Sequence, residues 1–419
     1  MEYVNLYFYL ACALSFFAAW GIGANDVSNA MGTSVGSRAL TLKQAIFAAA
    51  IFEAGGAILA GGEVTHTIGK GIIDFQATQL PREILIFGML AALSAAGTWL
   101  VVASYYGWPV STTHCIVGAV LGFGGVVAGW EAIYWGKLIS IVMSWVVTPF
   151  LSGIIAYMLF MSLQKRILNT DNPLENARRF GPYYLFIVLF VVSLVTCTQG
   201  LQHTRWRMTW MMGTSVAVVV SVLLTSFGAW CLRRRNPVIH NRQDAYVEVE
   251  KIFGIMMIFT ACTMAFAHGS NDVANAIGPL AAILDLMGSA NASLAAGGSA
   301  IPLWVLCLGG LGITLGLAIF GYRVMATIGE GITALTPSRG FSAELATACT
   351  VIIASGTGLP ISTTQTLVGG ILGVGLARGI AALNLNVIRK IFLSWVVTIP
   401  AGAVLSLLFF YFYKMVLPV

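Results

Sequence analysis

Ala24-Asn25-Asp26-Val27-Ser28-Asn29-Ala30-Met31-Gly32 returns as Ser270-Asn271-Asp272-Val273-Ala274-Asn275-Ala276-Ile277-Gly278, identical at six of nine positions with an offset of 246 residues. Two further blocks follow in the same order. Residues 110–124 (VSTTHCIVGAVLGFG) match residues 361–375 (ISTTQTLVGGILGVG) at eight of fifteen positions, offset 251. Ser144-Trp145-Val146-Val147-Thr148 recurs as Ser394-Trp395-Val396-Val397-Thr398, offset 250. Three blocks in one order at nearly one offset read as a duplicated structural unit.

The setting of the repeat is a membrane. Of 419 residues, 58% are hydrophobic and only 9% are charged, against about 25% charged in an average soluble domain. So few charges could not cover a soluble surface of this size. Composition excludes a soluble enzyme, a disordered chain and a nucleic-acid binder, and apolar runs of spanning length recur throughout, as in a polytopic helical membrane protein. The 22 Lys and Arg give a net charge of +6, which in such a chain reports topology before any anionic partner. The seven cysteines are scattered with no metal-ligand spacing and read as small apolar residues. The first apolar run is preceded by Glu2 and no basic residue; a secretory signal needs a basic flank, so this run is expected to stay in the mature protein.

Twelve segments are expected, near 4–22, 41–60, 83–106, 110–128, 136–163, 182–199, 209–232, 252–268, 302–321, 344–358, 361–377 and 387–413. The third and fourth, like the tenth and eleventh, are separated by a few residues and form either two spans or a re-entrant hairpin. The odd-numbered connections carry 16 of the 22 basic residues, including the Arg233-Arg234-Arg235 run. Those connections are therefore expected in the cytoplasm, with both termini outside, in the inner membrane of a bacterium. Equivalent blocks lie seven segments apart, an odd number, so the two copies cross the membrane in opposite senses. The expected fold is an all-α polytopic membrane protein: about twelve transmembrane helices in two inverted-topology repeats, with broken or re-entrant helices. Residues 1–164 form the first repeat, 165–250 two connecting helices, and 251–419 the second repeat. Inverted repeats build secondary transporters, whose related halves exchange inward-open and outward-open shapes around one midplane site.

Asp26 and Asp272 carry the sharpest chemical signal. A carboxylate at the centre of a bilayer costs about 2.5–3.5 kcal/mol or more, and here it occurs twice at equivalent positions. A straight helix from residue 4 to 36 would be about 50 Å long, beyond a roughly 30 Å core. Gly21, Gly23 and the Asn-Asp pair therefore suggest a break, whose freed backbone groups would sit beside Asp26 where Na⁺ or H⁺ is held. Asn25 with Asn29, and Asn271 with Asn275, are i,i+4 pairs that share a helix face. Ser111-Thr112-Thr113 and Ser362-Thr363-Thr364 each follow a Pro and open an apolar helix; hydroxyls and free N–H groups at a helix N-terminus suit a tetrahedral oxyanion. Plain N-capping explains one such triplet, and duplication favours function. Gly118, Gly122, Gly369 and Gly373 read as small-residue helix packing. Glu63 and His66 lack partners for a metal site. His114, replaced by Gln365 in the other copy, reads as a hydrogen-bonded neighbour. Glu53, inside an apolar run with no acidic counterpart, either carries a proton or pairs with a hydroxyl. Arg178 and Arg179 read as topology determinants.

The duplicated Asn-Asp-Val-x-Asn-Ala signature and the two Pro-x-Ser-Thr-Thr stretches resemble the inorganic phosphate transporter (PiT) family over nearly the whole chain. Phe52-Glu53-Ala54-Gly55-Gly56-Ala57 also looks like a family stretch carrying a glutamate. The resemblance implies symport of inorganic phosphate with Na⁺ or H⁺, no cofactor beyond that ion, and a homodimer in membrane lipid. Carried over by motif, Asp26, Asp272, Asn29 and Asn275 would hold the coupling cation, with Na⁺ on the two aspartates. Asn25, Asn271 and residues Ser111, Thr112, Thr113, Ser362, Thr363 and Thr364 would hold phosphate, with Glu53 a further proton or cation position. The Gly-Ala-Asn-Asp form of the first motif looks more like sodium-coupled members. Some relatives move phosphate as a metal complex, and a sulfate-permease branch keeps sulfate open. Phosphate can donate a hydrogen bond to a carboxylate and sulfate cannot, which favours phosphate. Two other classes are weaker: an uncoupled anion channel does not need paired carboxylates, and an intramembrane hydrolase would need an unduplicated catalytic set. No enzyme activity is expected.

Overall fold

The computed structural model describes residues 3–75, 78, 80–200, 209–234, 239–288, 301–325 and 332–418; Arg235 lies outside them. The helices are α1 (Val4–Gly36), α2 (Leu42–Ala60), α3 (Gly62–Lys70), α4 (Arg82–Tyr105), α5 (Thr112–Phe123), α6 (Trp135–Leu163), α7 (Pro173–Val195), α8 (Trp210–Arg234), α9 (Arg242–Leu286), α10 (Leu303–Phe320), α11 (Pro337–Gly356), α12 (Thr363–Arg378) and α13 (Leu385–Val416). Among the described residues, nine helices are long and apolar enough to cross a membrane. Each of the twelve expected segments falls on a helix; α3 is additional.

Several elements run past their apolar cores. The expected segment 252–268 is the middle of α9, 45 residues long. Asn241 caps it, accepting from the Asp244 N–H at 2.9 Å, and its charged first turns project beyond the apolar stretch. The expected boundary at 250/251 consequently falls inside this helix. The boundary at 164/165 falls at the π-helical turn 164–168 that ends α6.

The expected break at residues 21–26 does not occur. α1 is one continuous helix of 33 residues, and the matching motif lies within the equally continuous α9. The glycines serve contact rather than bending. A Cβ on Gly23 would overlap the Ile313 carbonyl of α10, and one on Gly316 of α10 would overlap the Trp20 carbonyl of α1. The same reciprocal contact joins α9 to α2: Gly269 meets the Glu53 carbonyl, and Gly56 meets the Phe266 carbonyl. Gly23 and Gly269 are equivalent positions of the two repeats, so each motif helix packs closely against a helix of the other repeat. The short helices follow the same rule. Gly118 and Gly122 of α5 abut Ile399 and Ala403 of α13, while Gly369 and Gly373 of α12 abut Pro149 and Gly153 of α6. Small residues let backbones approach where lipid supplies no hydrophobic drive.

Chain breaks do occur at the two hairpins. α4 ends in a turn with Gly107 at φ +67°, and α11 ends likewise with Gly358 at φ +69°. Left-handed backbone at the residue beyond a helix favours glycine. The remaining left-handed residues also pair across the repeats: Gly129 (φ +95°) with Gly379 (φ +103°), and Arg38 (φ +62°) with Gly288 (φ +66°). The duplication thus extends to backbone geometry well outside the recurring blocks.

Gly269→Val should clash with the Glu53 carbonyl and cost about 1–3 kcal/mol through overpacking. Gly62→Ala meets nothing within 4 Å and should leave stability unchanged. Thermal unfolding of the purified variants in detergent checks both; equal melting temperatures would remove the close contact from the account.

Candidate cation and anion site

Close crossing of α1 and α9 brings the two motifs together, fully buried. His268 of α9 sits at the centre. Its Nε2 lies 3.0 Å from Asp272 Oδ2 and 3.9 Å from Asp26 Oδ2, and its Nδ1 lies 3.3 Å from Glu53 Oε2. All four side chains are at most 1% exposed. One imidazole therefore faces three carboxylates, and no Lys or Arg pairs with them among the described residues. Glu53 meets this ring rather than a hydroxyl.

The asparagines divide their work. Asn29 Nδ2 donates across the repeat boundary to Thr364 Oγ1 (2.8 Å) and Thr363 Oγ1 (3.3 Å), and Asn275 Nδ2 donates to Thr112 Oγ1 (3.2 Å) and Thr113 Oγ1 (3.3 Å). Asn25 and Asn271 stay within their own repeats. Asn25 Nδ2 donates to Ser104 Oγ (3.2 Å) and the Trp108 carbonyl (3.0 Å), and its Oδ1 accepts from the Val110 N–H (3.2 Å). Asn271 Nδ2 donates to Ser355 Oγ (2.9 Å) and the Leu359 carbonyl (3.4 Å). Each clamps the turn before a Ser-Thr-Thr triplet.

Ser111 and Ser362 cap α5 and α12, accepting from the N–H groups of His114 and Gln365 at 3.2 Å. An N-cap hydroxyl that accepts in this way still has its own proton to donate. The first-turn N–H groups behind it have no partner within the helix. The two N-termini are pinned to each other: Thr113 Oγ1 donates to the Ile361 carbonyl (2.8 Å) and Thr364 Oγ1 to the Val110 carbonyl (3.1 Å). They also sit against the carboxylates. Thr363 Oγ1 donates to Asp272 Oδ2 at 2.8 Å, and the Thr112 hydroxyl lies beside Asp26.

Some oxygens here have nothing to accept. Asp26 Oδ1, Asn29 Oδ1, Asp272 Oδ1 and Asn275 Oδ1 are buried without a hydrogen-bond donor. Buried acceptors are ordinarily paired, and unpaired oxygens beside carboxylates suit a hard cation such as Na⁺. Atoms of Asp26, His268 and Asp272 lie within 4.8 Å of one another, close enough to share one ion.

Two buried groups were not anticipated. His268 has no counterpart, since the equivalent position in the first repeat is Ile22; its i,i+4 spacing from Asp272 was the available signal. Glu344 of α11, equivalent to Leu93, accepts from Ser34 Oγ (2.7 Å), from Thr260 Oγ1 (2.8 Å) and from the Thr33 hydroxyl. It thereby joins α11 to both motif helices. His114, expected to be a hydrogen-bonded neighbour, lies beside the Gln365 side chain and the Trp395 backbone, with its ring 3.9 Å from that of Trp145. Glu63 and His66 are exposed on α3, away from the cluster.

Opposed repeats that meet at a buried polar centre are how secondary transporters are built, and a membrane transporter of this class is what the fold and cluster define. The chain belongs to the phosphate transporter family, whose model matches residues 22–406. It is 51% identical over 411 residues to a Haemophilus influenzae protein bearing the name of a phosphate permease, covering 98% of this chain and 97% of that one. It is 42% identical over 428 residues to Arabidopsis thaliana "Inorganic phosphate transporter 2-1, chloroplastic", covering 98% of this chain and 72% of that one. A solved structure titled "The sodium-dependent phosphate transporter" superposes with a TM-score of 0.88 at 38% identity, covering 98% of this chain and 100% of that chain. The chain is thus an integral membrane transporter and not an enzyme.

Removing the single imidazole should leave three carboxylates unopposed. Breaking a buried ion pair in this way costs about 3–5 kcal/mol. His268→Ala should therefore melt well below wild type, with the loss recovered in NaCl but not in choline chloride at equal ionic strength. An unchanged melting temperature would deny the ring its bridging role.

Proposed function

We propose that the protein imports inorganic phosphate by symport with Na⁺, through alternating access around the cluster. The observation that carries this reading is the contact of two opposed helix N-termini with buried carboxylates, at the Thr363 to Asp272 hydrogen bond of 2.8 Å. An anion cradle placed against negative charge binds its anion only when cations neutralise that charge. Coupling is then a consequence of Coulomb repulsion in a water-poor interior. Three carboxylates against at most one imidazolium leave a deficit of two positive charges, so two Na⁺ ions are assigned to each phosphate.

The roles follow the geometry. Asp26 and Asp272, with the free oxygens of Asn29 and Asn275, hold Na⁺. The first-turn N–H groups of Ser111, Thr112, Thr113, Ser362, Thr363 and Thr364 hold phosphate, with the hydroxyl protons of Ser111 and Ser362 and those of Thr112 and Thr363 once Na⁺ takes their place on the aspartates. Asn25 and Asn271 position those N-termini by clamping the preceding turns, a refinement of the direct phosphate contact that the motif resemblance implies. A carboxylate left beside the anion accepts a proton from phosphate and repels sulfate. Residues 1–164 and 251–419, extended at α9 to residue 242, act as the two exchanging halves. The basic connections are assigned to the cytoplasm: Arg242 reaches the Thr170 carbonyl at 3.0 Å, and Arg339 and Arg378 both reach the Ala334 carbonyl, so several of these connections meet at one end of the bundle.

Radiolabelled phosphate uptake into proteoliposomes tests the reading. An inward Na⁺ gradient should drive accumulation that excess sulfate does not compete, and Asp272→Asn should abolish it while the protein stays folded. Uptake that follows a proton gradient alone, or sulfate entering in place of phosphate, would overturn the assignment. Thr363→Val should raise the KM for phosphate about tenfold, the value of one hydrogen bond to a charged group; an unchanged KM would take that hydroxyl out of the anion site.

A further inference from the structure

A cleft of about 930 Å³ opens on the lipid-facing side between α6, α12 and α13. Its lips are exposed and apolar, formed by Val146 and Phe150 of α6 with Phe392 and Val396 of α13. Its floor is polar. His114 lies against the Trp145 ring and beside Gln365 and the Trp395 backbone; His114 with Gln365, and Trp145 with Trp395, are repeat-equivalent pairs, so the cleft follows the axis that relates the repeats. These four side chains are 4%, 7%, 9% and 5% exposed, respectively.

Five of their polar atoms have no well-formed hydrogen bond there. Both ring nitrogens of His114, Gln365 Oε1, Trp145 Nε1 and Trp395 Nε1 are buried without a hydrogen-bond partner. The Gln365 side chain and the backbone at Trp395 are the polar neighbours of the imidazole, so the two indole N–H groups carry the argument for a ligand most strongly. Bilayer hydrocarbon offers no partner either, so each such group is unfavourable where it stands. Five unpartnered atoms at the bottom of one apolar cleft describe a ligand by complement. It has an alkyl or aryl body for the walls. Its polar end carries an acceptor for the indole N–H groups and a donor for Gln365 Oε1, as a hydroxyl does. Among the described residues no Asp, Glu, Lys or Arg lines the cleft, which fits a neutral ligand. The volume lies in the range of small-molecule sites.

We infer that this cleft binds a neutral amphiphile dissolved in the bilayer, with its hydroxyl end on His114, Gln365 and the two indoles. A second copy of the chain is the poorer occupant, because apolar helix faces docked over the lips would leave the floor unpaired. His114 and Gln365 directly follow the two Ser-Thr-Thr triplets. An occupant here bears on the opposed N-termini from the membrane side, as a modulator of transport would.

The test uses full-length protein in lipid nanodiscs and a photoreactive dodecanol with a diazirine near the hydroxyl, beside the matching diazirine alkane. Labelled peptides are mapped by mass spectrometry. The alcohol should label residues of α6, α12 and α13 that line the cleft, and the alkane should not concentrate there. Replacing both indoles (Trp145→Phe with Trp395→Phe) keeps the ring volume nearly intact and removes two donors; labelling should fall about tenfold, the value of one to two hydrogen bonds. Leu372→Trp, which fills the cleft without touching the floor, should abolish it independently. Labelling spread evenly over the lipid-facing surface, equal labelling by the alkane, or labelling that survives both changes would overturn the inference. So would crosslinks between copies through α6 and α13, which would assign the cleft to a dimer contact.

Discussion

Three carboxylates share one imidazole inside a bundle of membrane helices, and the rest of the molecule is arranged around that imbalance. Asp26, Asp272 and Glu53 converge on His268 from α1, α9 and α2. Ionised carboxylates resist burial unless paired, which is why the proposed function gives the cluster mobile cations. The acceptor oxygens left free on Asp26, Asn29, Asp272 and Asn275 are where such ions would coordinate. An anion bound by the neighbouring helix N-termini then adds the complementary charge. In the proposed symport, phosphate and Na⁺ would each lower the electrostatic cost of the other, a coupling free energy between two sites that is reciprocal by necessity.

Helix packing keeps this arrangement symmetric. Each motif helix is held against the opposite repeat by glycine contacts, Gly23 with Gly316 and Gly269 with Gly56. The cross-repeat hydrogen bonds of Asn29 and Asn275 obey the same exchange. An element of one repeat therefore cannot move without carrying part of the other's site. Under the proposed alternating access, two N-termini pinned to each other in this way would shift together.

Most of the fold was legible in the sequence because duplication marks the structure twice. The recurring blocks located both motif helices, both hairpins and both packing glycine pairs, and the parity of the segments gave the inversion. Reliance on duplication also hid what is not duplicated. His268 corresponds to Ile22 in the other repeat and Glu344 to Leu93, so neither stood out, although His268 is the hub of the cluster. The expected break in α1 failed for a different reason. Glycines beside a polar motif signal either a bend or a close contact, and only the position of α10 shows that Gly23 makes a contact. Asn25 and Asn29 share a helix face by spacing, yet one clamps its own hairpin and the other crosses the repeat boundary; that division depends on tertiary placement no local pattern encodes.

The most direct test of the central claim is calorimetric titration of phosphate into purified protein as NaCl replaces choline chloride at constant ionic strength. Reciprocal coupling predicts that phosphate affinity rises with Na⁺, with a log–log slope near two set by the charge deficit of the cluster. Phosphate binding of equal strength in choline chloride alone would contradict the account, because the anion would then bind beside three carboxylates without the cations that make its binding possible.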